Sequence, residues 1–76
     1  MSKKYNVYSD YCELFITSKK LKKPYTFLQS FKSLPDAIDY CNATEDWWLV
    51  TKELKIELEK IYDYATTDFI NEHTVG

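Results

Sequence analysis

Glycine and arginine are almost absent from the sequence. The single glycine is Gly76, so the chain has no glycine-rich loop of the kind that holds the phosphates of a bound nucleotide. All ten basic residues are lysine, whereas arginine is the usual bidentate partner of guanine and phosphate. These two absences argue against a nucleotide-dependent enzyme and against sequence-specific reading of a DNA groove.

Long apolar segments are missing as well. No stretch approaches the ~20 consecutive apolar residues that a transmembrane helix needs. The basic segment from Met1 to Asn6 leads into no apolar stretch and does not read as a signal peptide. We expect a cytoplasmic protein without membrane contact, and the length predicts a single domain over residues 1–76.

Aromatic residues, in contrast, are abundant. Seven tyrosines, four phenylalanines and two tryptophans make up 17% of the chain. Each ring buries a large area, which compensates for the small core that a short chain can build. This composition favours a folded domain over a disordered one.

The first half of the chain predicts a small sheet. Segments rich in β-branched and aromatic residues predict strands over residues 5–8, 11–17 and 25–31. Ser9 and Asp10 would form the turn between the first two strands. Three consecutive strands with short connections predict an antiparallel meander.

A capped helix follows the third predicted strand. The run Ser33-Leu-Pro-Asp36 has the form of a capping box, in which the serine hydroxyl accepts a hydrogen bond from a free N–H group of the first turn. The spacing predicts a short amphipathic helix that ends near Asn42. Its apolar face is expected to contain Leu34, Ala37, Ile38 and Cys41.

Residues from Thr44 onward fit two interpretations. One is a continuous helix, since apolar residues recur at helical spacing from Trp47 to Phe69. The other is a strand over residues 47–50 and a helix over about 52–65 with Thr51 as its cap, favoured because the strand segment is apolar on every side. The predicted fold class is α+β, with an antiparallel sheet of three or four strands, a short capped helix and a longer C-terminal helix, in the order β-β-β-α-(β)-α.

Catalytic and metal-binding groups are few. His73 is the only histidine, and its place near the C-terminus predicts a fraying segment without the fixed partner that catalysis needs. Cys12 and Cys41 are expected in the core, and the absence of a C-x-x-C motif argues against zinc or a redox dithiol. We therefore expect no enzymatic activity, no metal site and no cofactor.

Charge is distributed unevenly along the chain. The net charge is −2, yet residues 1–32 carry a formal +5 and residues 33–76 a formal −7. Such asymmetry indicates a charged partner for one half, or two halves that neutralise each other across the fold. The sequence leaves open which half is the functional one.

The acidic half gives the leading functional hypothesis. Its carboxylates alternate with tyrosine and tryptophan, and such rings anchor protein interfaces. Carboxylates along a surface can also imitate phosphates and occupy a basic nucleic-acid groove. We expect a non-enzymatic protein-binding module that inhibits or modulates a larger nucleic-acid-handling or defence complex. The residues assigned to this acidic surface are Glu45, Asp46, Trp48, Glu53, Glu57 and Tyr64.

The basic half gives the alternative hypothesis, a small nucleic-acid-binding protein. A lysine-rich connection precedes the third predicted strand, and lysines that neutralise phosphates release counterions. Tyr8, Tyr11, Phe15 and Tyr25 could share a sheet face and stack on bases. The residues assigned to this site are Lys19, Lys20, Lys22, Lys23, Tyr8 and Phe15.

Two resemblances accompany these hypotheses. The run from Phe31 to Tyr40, a strand that enters a capped helix, resembles the strand-to-helix step of AP2-type and integrase N-terminal DNA-binding domains. Those domains read DNA with arginine and tryptophan on their strands, which the first three predicted strands lack, so that function does not carry over. In size, aromatic richness, acidic flank and lack of catalytic motifs, the chain is similar in style to small phage-encoded inhibitors of host defence, including anti-CRISPR proteins. This resemblance implies a partner protein in the cytoplasm of a bacterial host.

Overall fold

The protein folds as a four-stranded sheet with helices packed on one face. The computed structural model describes residues 4–11, 13–44, 47–63 and 67–75. The elements are β1 (Tyr5–Asp10), β2 (Glu13–Thr17), β3 (Thr26–Phe31), α1 (Leu34–Thr44), β4 (Trp47–Val50), a 3₁₀ turn (Lys52–Leu54), α2 (Lys55–Ile61) and α3 (Thr67–Glu72). The predicted α+β class is confirmed, and residues 47–50 form the strand that the sequence favoured.

The order of the strands differs from the expected meander. The order is β3-β1-β2-β4, in which β1 pairs antiparallel with both β2 and β3, while β4 runs parallel to β2. The meander prediction is wrong because residues 18–25 run along the length of the sheet, from Thr17 beside Asn6 to Thr26 beside Ser9, and so reach the free edge of β1. The outer edge of β2 is thereby left for β4, which arrives in parallel after the α1 crossover.

The turn between β1 and β2 lies two residues later than predicted. Asp10 is paired with Glu13 and Ser9 with Leu14, so the predicted Ser9–Asp10 turn is wrong. Tyr11 forms the turn with a φ of 58°, a left-handed conformation that costs a non-glycine residue roughly 1–2 kcal/mol. Its side chain is exposed at the tip of the hairpin, whereas the predicted core position of Cys12 lies outside the described residues.

The core lies between one face of the sheet and the helices. The predicted apolar face of α1 is confirmed, because Leu34, Ala37, Ile38 and Cys41 are all buried. They pack with a second set of buried side chains from the strands and the C-terminal helical segment: Val7, Leu14, Ile16, Trp48, Val50, Leu54, Leu58 and Ile70. Burial of this apolar surface is the main favourable term in folding.

The ends of the helices follow local hydrogen bonds. The Ser33 hydroxyl accepts a hydrogen bond of 3.3 Å from the Asp36 N–H, which confirms the predicted cap. The helix continues past the expected stop at Asn42 as far as Thr44. The C-terminal helical segment is divided, since α2 ends where Tyr62 leaves the helical region and α3 begins at Thr67. Within the described ranges, no helix combines the length and apolarity that a membrane crossing requires.

The segment around His73 is held firmly against β4. His73 is 7% exposed, and its Nδ1 lies 2.8 Å from the Trp48 carbonyl oxygen, to which it donates. The imidazole stacks on both tryptophans, with centroid distances of 4.3 Å to Trp47 and 3.9 Å to Trp48. The Val50 N–H donates to the His73 carbonyl, and the Val75 N–H donates to the Val50 carbonyl. The predicted fraying is therefore wrong, because aromatic packing and strand pairing override the mobility expected near a terminus.

Removal of the Ser33 hydroxyl leaves an N–H group of the first turn of α1 without its acceptor. We expect Ser33→Ala to lower the free energy of unfolding by ~1 kcal/mol, measured by urea denaturation. Ser33→Asp retains an acceptor and is the matched control. An unchanged midpoint for the alanine variant would show that the cap contributes nothing.

Replacement of His73 by alanine removes a stacked ring and the donor to the Trp48 carbonyl. We expect His73→Ala to lower the free energy of unfolding by roughly 2–4 kcal/mol and to shift the tryptophan fluorescence. Glu72→Ala, at the exposed neighbouring position, should stay within about 0.5 kcal/mol of the wild type. Equal effects of the two variants would contradict the packed role of His73.

Candidate functional site

The sheet face opposite the helices, here called the open face, has its side chains aligned in rows across the strands. In the central row, Phe27 lies opposite Tyr8, Tyr8 opposite Phe15, and Phe15 opposite Leu49. We call Phe27, Tyr8 and Phe15 the aromatic row, which Leu49 continues on β4. It brings together two of the residues assigned to the nucleic-acid alternative, Tyr8 and Phe15, on a surface that the helices leave uncovered.

The rings of the open face differ in how much surface they present. Phe27 is 53% exposed, whereas Tyr8 is only 5% exposed. Phe27 meets Tyr8 edge-on at 5.6 Å, and Tyr25 meets Phe15 in the same way at 5.3 Å. Tyr8 therefore supports Phe27 from beside it and does not offer its own face, which corrects the expectation that Tyr8 stacks on bases. The rings of Phe15 and Tyr25 are half-buried and remain accessible.

A polar row beside the aromatic row attaches the lysine-rich connection to the sheet. Asn6 is paired with Ser30 on one side and Thr17 on the other. Its side-chain oxygen accepts a 2.5 Å hydrogen bond from the Ser30 hydroxyl, and its amide donates a 3.2 Å hydrogen bond to the Lys19 carbonyl. We call residues 18–24 the lysine loop. Asn6 thus fixes the first part of that loop over the open face.

Glu53 holds the same loop from the other side. Its Oε2 accepts hydrogen bonds from the Thr17 hydroxyl (3.1 Å), the Ser18 N–H (3.2 Å), the Ser18 hydroxyl (3.0 Å) and the Thr51 hydroxyl (2.5 Å). Partial burial opposes ionisation, but hydrogen bonds from Thr51, from its own backbone N–H and from Ser18 outweigh it and lower the pKa of Glu53 to about 2. The carboxylate is therefore an anchor of the fold.

The lysine loop and the open face enclose a groove of about 690 Å³. The groove is lined by aromatic, polar and basic side chains: Lys4, Asn6, Tyr8, Ser18, Lys20, Leu21, Tyr25, Phe27 and Ser30. The remaining lysines of the loop, Lys19, Lys22 and Lys23, are exposed. Positive charge and accessible rings therefore meet at one place on the surface.

The end of the open face at the β1–β2 hairpin carries acidic side chains. Asp10 lies opposite Glu13, and Glu13 lies opposite Trp47. Since these positions alternate with the core-facing residues of their strands, they belong to the open face. We call Asp10 and Glu13 the acidic row. The lysine loop starts after Thr17, which is paired with Asn6, and is followed by Tyr25 and by Thr26, which is paired with Ser9, so the end of the loop approaches the acidic row.

The acidic surface expected from the second half of the chain is only partly described. Glu45, Asp46 and Tyr64 lie outside the described residues. Trp48 is 5% exposed, and its indole N–H donates a 3.0 Å hydrogen bond to Asn42. A side chain so deeply packed is not an exposed interface anchor, which corrects the role assigned to Trp48.

Glu57, another residue of the expected acidic surface, has a partner within the fold. The Tyr5 hydroxyl donates a hydrogen bond to a Glu57 carboxylate oxygen. This hydrogen bond, burial and the negative charge of Glu57 raise the pKa of Tyr5 to about 12. The interaction ties β1 to α2, and a contact of Glu57 with another protein stays a prediction.

Phe27 was not assigned to any site from the sequence, and the reason is a β-bulge. A strict antiparallel register would place Leu28 opposite Tyr8, but the register shifts so that Tyr8 is paired with Phe27. The shift turns Phe27 from the core side to the open face. Asn6 and Lys4 were missed too, because only the observed strand order places them beside the lysine loop.

Comparison of the chain with protein-family models, curated proteins and solved structures gives no match. Among the residues that the structure describes, no three histidine, cysteine, aspartate or glutamate side chains are grouped so that they could hold a metal ion. The role of the open face is therefore inferred from its own geometry and charge.

The lowered pKa of Glu53 predicts a pH-dependent anchor. A carboxyl whose pKa falls from 4.5 in the unfolded chain to about 2 in the folded protein stabilises the fold above pH 4.5, and this stabilisation is lost as the pH falls towards 2. We expect the wild type to unfold at higher urea concentration than Glu53→Gln at pH 7, and the difference to shrink between pH 4.5 and pH 2.

Glu59→Gln, which alters an exposed carboxylate of α2, is the control for the pH series. Its urea midpoint should differ little from that of the wild type throughout. A wild-type advantage over Glu53→Gln that stays constant down to pH 2 would contradict the anchoring role.

Proposed function

We propose that the protein binds nucleic acid in the groove between the lysine loop and the open face. The observation that carries this proposal is that the exposed Phe27 ring and the Lys20 side chain line one groove. Proteins that bind unpaired nucleic acid combine a positively charged groove with aromatic side chains on which bases stack. Of the residues that the structure describes, none from the helical layer lines this groove, so a ligand reaches it without a change in the core.

The lysines supply the electrostatic part of the affinity. Each lysine that neutralises a phosphate releases counterions, which makes binding dependent on salt. Arginine is absent from the chain, so the bidentate reading of guanine that arginine provides is missing. We therefore propose binding with little sequence preference.

The anchors of the lysine loop strengthen this proposal. Asn6 and Glu53 hold residues Thr17 to Lys19 by hydrogen bonds from two sides. A loop that is already positioned loses less conformational freedom when the ligand binds. The loop therefore presents its charges beside the rings before any ligand arrives.

A second candidate is the protein-binding inhibitor, which stays a proposal. The observation in its favour is Ile56 on α2, which is 66% exposed and lies one turn before the exposed Glu59. An exposed apolar side chain beside carboxylates suits the rim of a protein interface. The burial of Trp48 removes the largest anchor assigned to that surface, so we give the groove precedence.

Binding of labelled oligonucleotides tests the proposed function. We expect the wild type to bind fluorescein-labelled dT12 and rU12 in fluorescence anisotropy, with affinity that falls as salt rises. Lys20→Gln/Lys22→Gln should weaken binding and reduce the salt slope by about 1.4 if both lysines contact phosphate. Phe27→Ala should weaken binding by about 1–3 kcal/mol per stacked base.

The matched controls lie on the helical layer. Lys52→Gln/Lys60→Gln removes the same charge, and Ile56→Ala removes a similarly exposed apolar side chain. Both should leave the dissociation constants within about twofold of the wild type. Absence of binding by the wild type, or equal losses in both sets of variants, would contradict the proposed function.

A further inference from the structure

The groove beside the lysine loop is closed at one end, and general affinity for nucleic acid does not require this shape. Resting on the proposed function, we infer that the groove holds the terminal nucleotide of a single strand, with its base at the closed end and its phosphate at the open end. A strand bound in this way enters the groove by one of its own ends and does not pass through it.

The floor and the two sides of the groove come from different parts of the chain. Asn6 and Tyr8 of β1 form the floor, and Phe27 and Ser30 of β3 border it on one side. Residues of the lysine loop border it on the other side. Phe15, on the next strand of the open face, is not among the described residues that line the groove. The groove therefore lies over β1 and β3, on one side of the loop.

Tyr25 closes the groove at the end near the β1–β2 hairpin. It precedes Thr26, which is paired with Ser9, and its ring meets the Phe15 ring edge-on at 5.3 Å. Because β1 lies between β3 and β2, the Tyr25 side chain has to cross over β1 to reach Phe15. Tyr8, the neighbour of Phe15 on β1, is only 5% exposed. A ligand therefore meets a wall of aromatic side chains at this end and cannot continue towards the hairpin.

The open end of the groove carries positive charge. In the described part of the chain, the lysines that line the groove are Lys4 and Lys20. Lys4 precedes β1 and lies about 14 Å from Tyr8 along an extended chain. Lys20 follows Lys19, whose carbonyl oxygen accepts the hydrogen bond from the Asn6 amide. Both groove lysines therefore leave the chain at the end opposite the aromatic wall.

The groove thus separates the two contacts that a nucleotide makes. The exposed Phe27 ring and the half-buried Tyr25 ring lie at the closed end, where a base can stack on them. Phosphates stay near Lys4 and Lys20, which neutralise their charge. A base inside a strand has a phosphate on each side along the backbone, and one of the two would be forced against the aromatic wall. A terminal base has a phosphate on one side alone.

Strands with and without free ends provide the test. Fluorescence anisotropy measures competition against dT12 labelled with fluorescein on an internal base. The three unlabelled competitors are linear dT24 with a hydroxyl group at each end, dT24 ligated into a circle, and linear dT24 with biotin-bound streptavidin at both ends. We expect the wild type to bind the free linear strand roughly tenfold or more tightly than the other two. Phe27→Ala should weaken binding of the free linear strand and reduce this preference.

Opening of the closed end separates this explanation from a general preference for flexible strands. Tyr25→Ala removes the ring that closes the groove, so the ratio of linear to circular affinity should fall towards one. The matched control is Tyr11→Ala, which removes a tyrosine that is 99% exposed at the tip of the hairpin and should leave the ratio unchanged. Urea denaturation establishes that each variant is folded, and the comparison of the three competitors on the wild type depends on no variant.

Equal affinity of the wild type for linear and circular dT24 overturns the inference and leaves the proposed function standing. A preference for the linear strand that persists unchanged in folded Tyr25→Ala overturns the inference too, because the preference then has a cause other than the closed end. Failure of the wild type to bind dT12 overturns the proposed function itself.

Discussion

A single carboxylate oxygen joins two segments of the chain that are remote in sequence. Oε2 of Glu53 accepts hydrogen bonds from the end of β2, from the start of the lysine loop and from Thr51 after β4. Thr17 is fully buried, so its hydroxyl has no access to water and needs this acceptor. The place where the lysine loop leaves the sheet, and with it the groove over the open face, depends on this one acceptor.

The local parts of the fold were predictable because their causes are local. The Ser33 cap, the apolar face of α1 and the strand at Trp47–Val50 each depend on side chains within one turn or one strand. The strand order was not predictable, since alternation of apolar residues sets which face is buried and not which edge finds which neighbour. For the candidate site, the sequence predicted the contribution of the loop lysines and of Phe15. The exposure of Phe27 results from a β-bulge, and no residue type in β3 predicts that bulge. The burial of His73 results from its packing against the two tryptophans of β4.

The uneven charge of the sequence is only partly a division between the two layers of the fold. Lys4 and Lys20 line the groove on the open face, whereas exposed carboxylates such as Asp36, Glu59 and Glu72 lie on the helical layer. Asp10 and Glu13 add negative charge to the open face, and the exposed lysines Lys52 and Lys60 add positive charge to the helical layer. A near-neutral total of −2 thus conceals local charge of both signs on both sides of the sheet. Local charge orients a charged partner before contact, and the lysines beside the groove are the charges that a polyanion, the proposed ligand, would meet there.

The pairing of the segment around His73 with β4 bears on synthesis of the protein. Residues 73–75 complete the parallel edge of the sheet, yet they emerge from the ribosome more than 20 residues after β4. At about 5–20 residues per second, β4 is exposed for a second or more with its outer edge unpaired. Unpaired edges pair readily with other chains. The nascent domain is therefore most vulnerable to association with its neighbours on a polysome during the translation of α2 and α3.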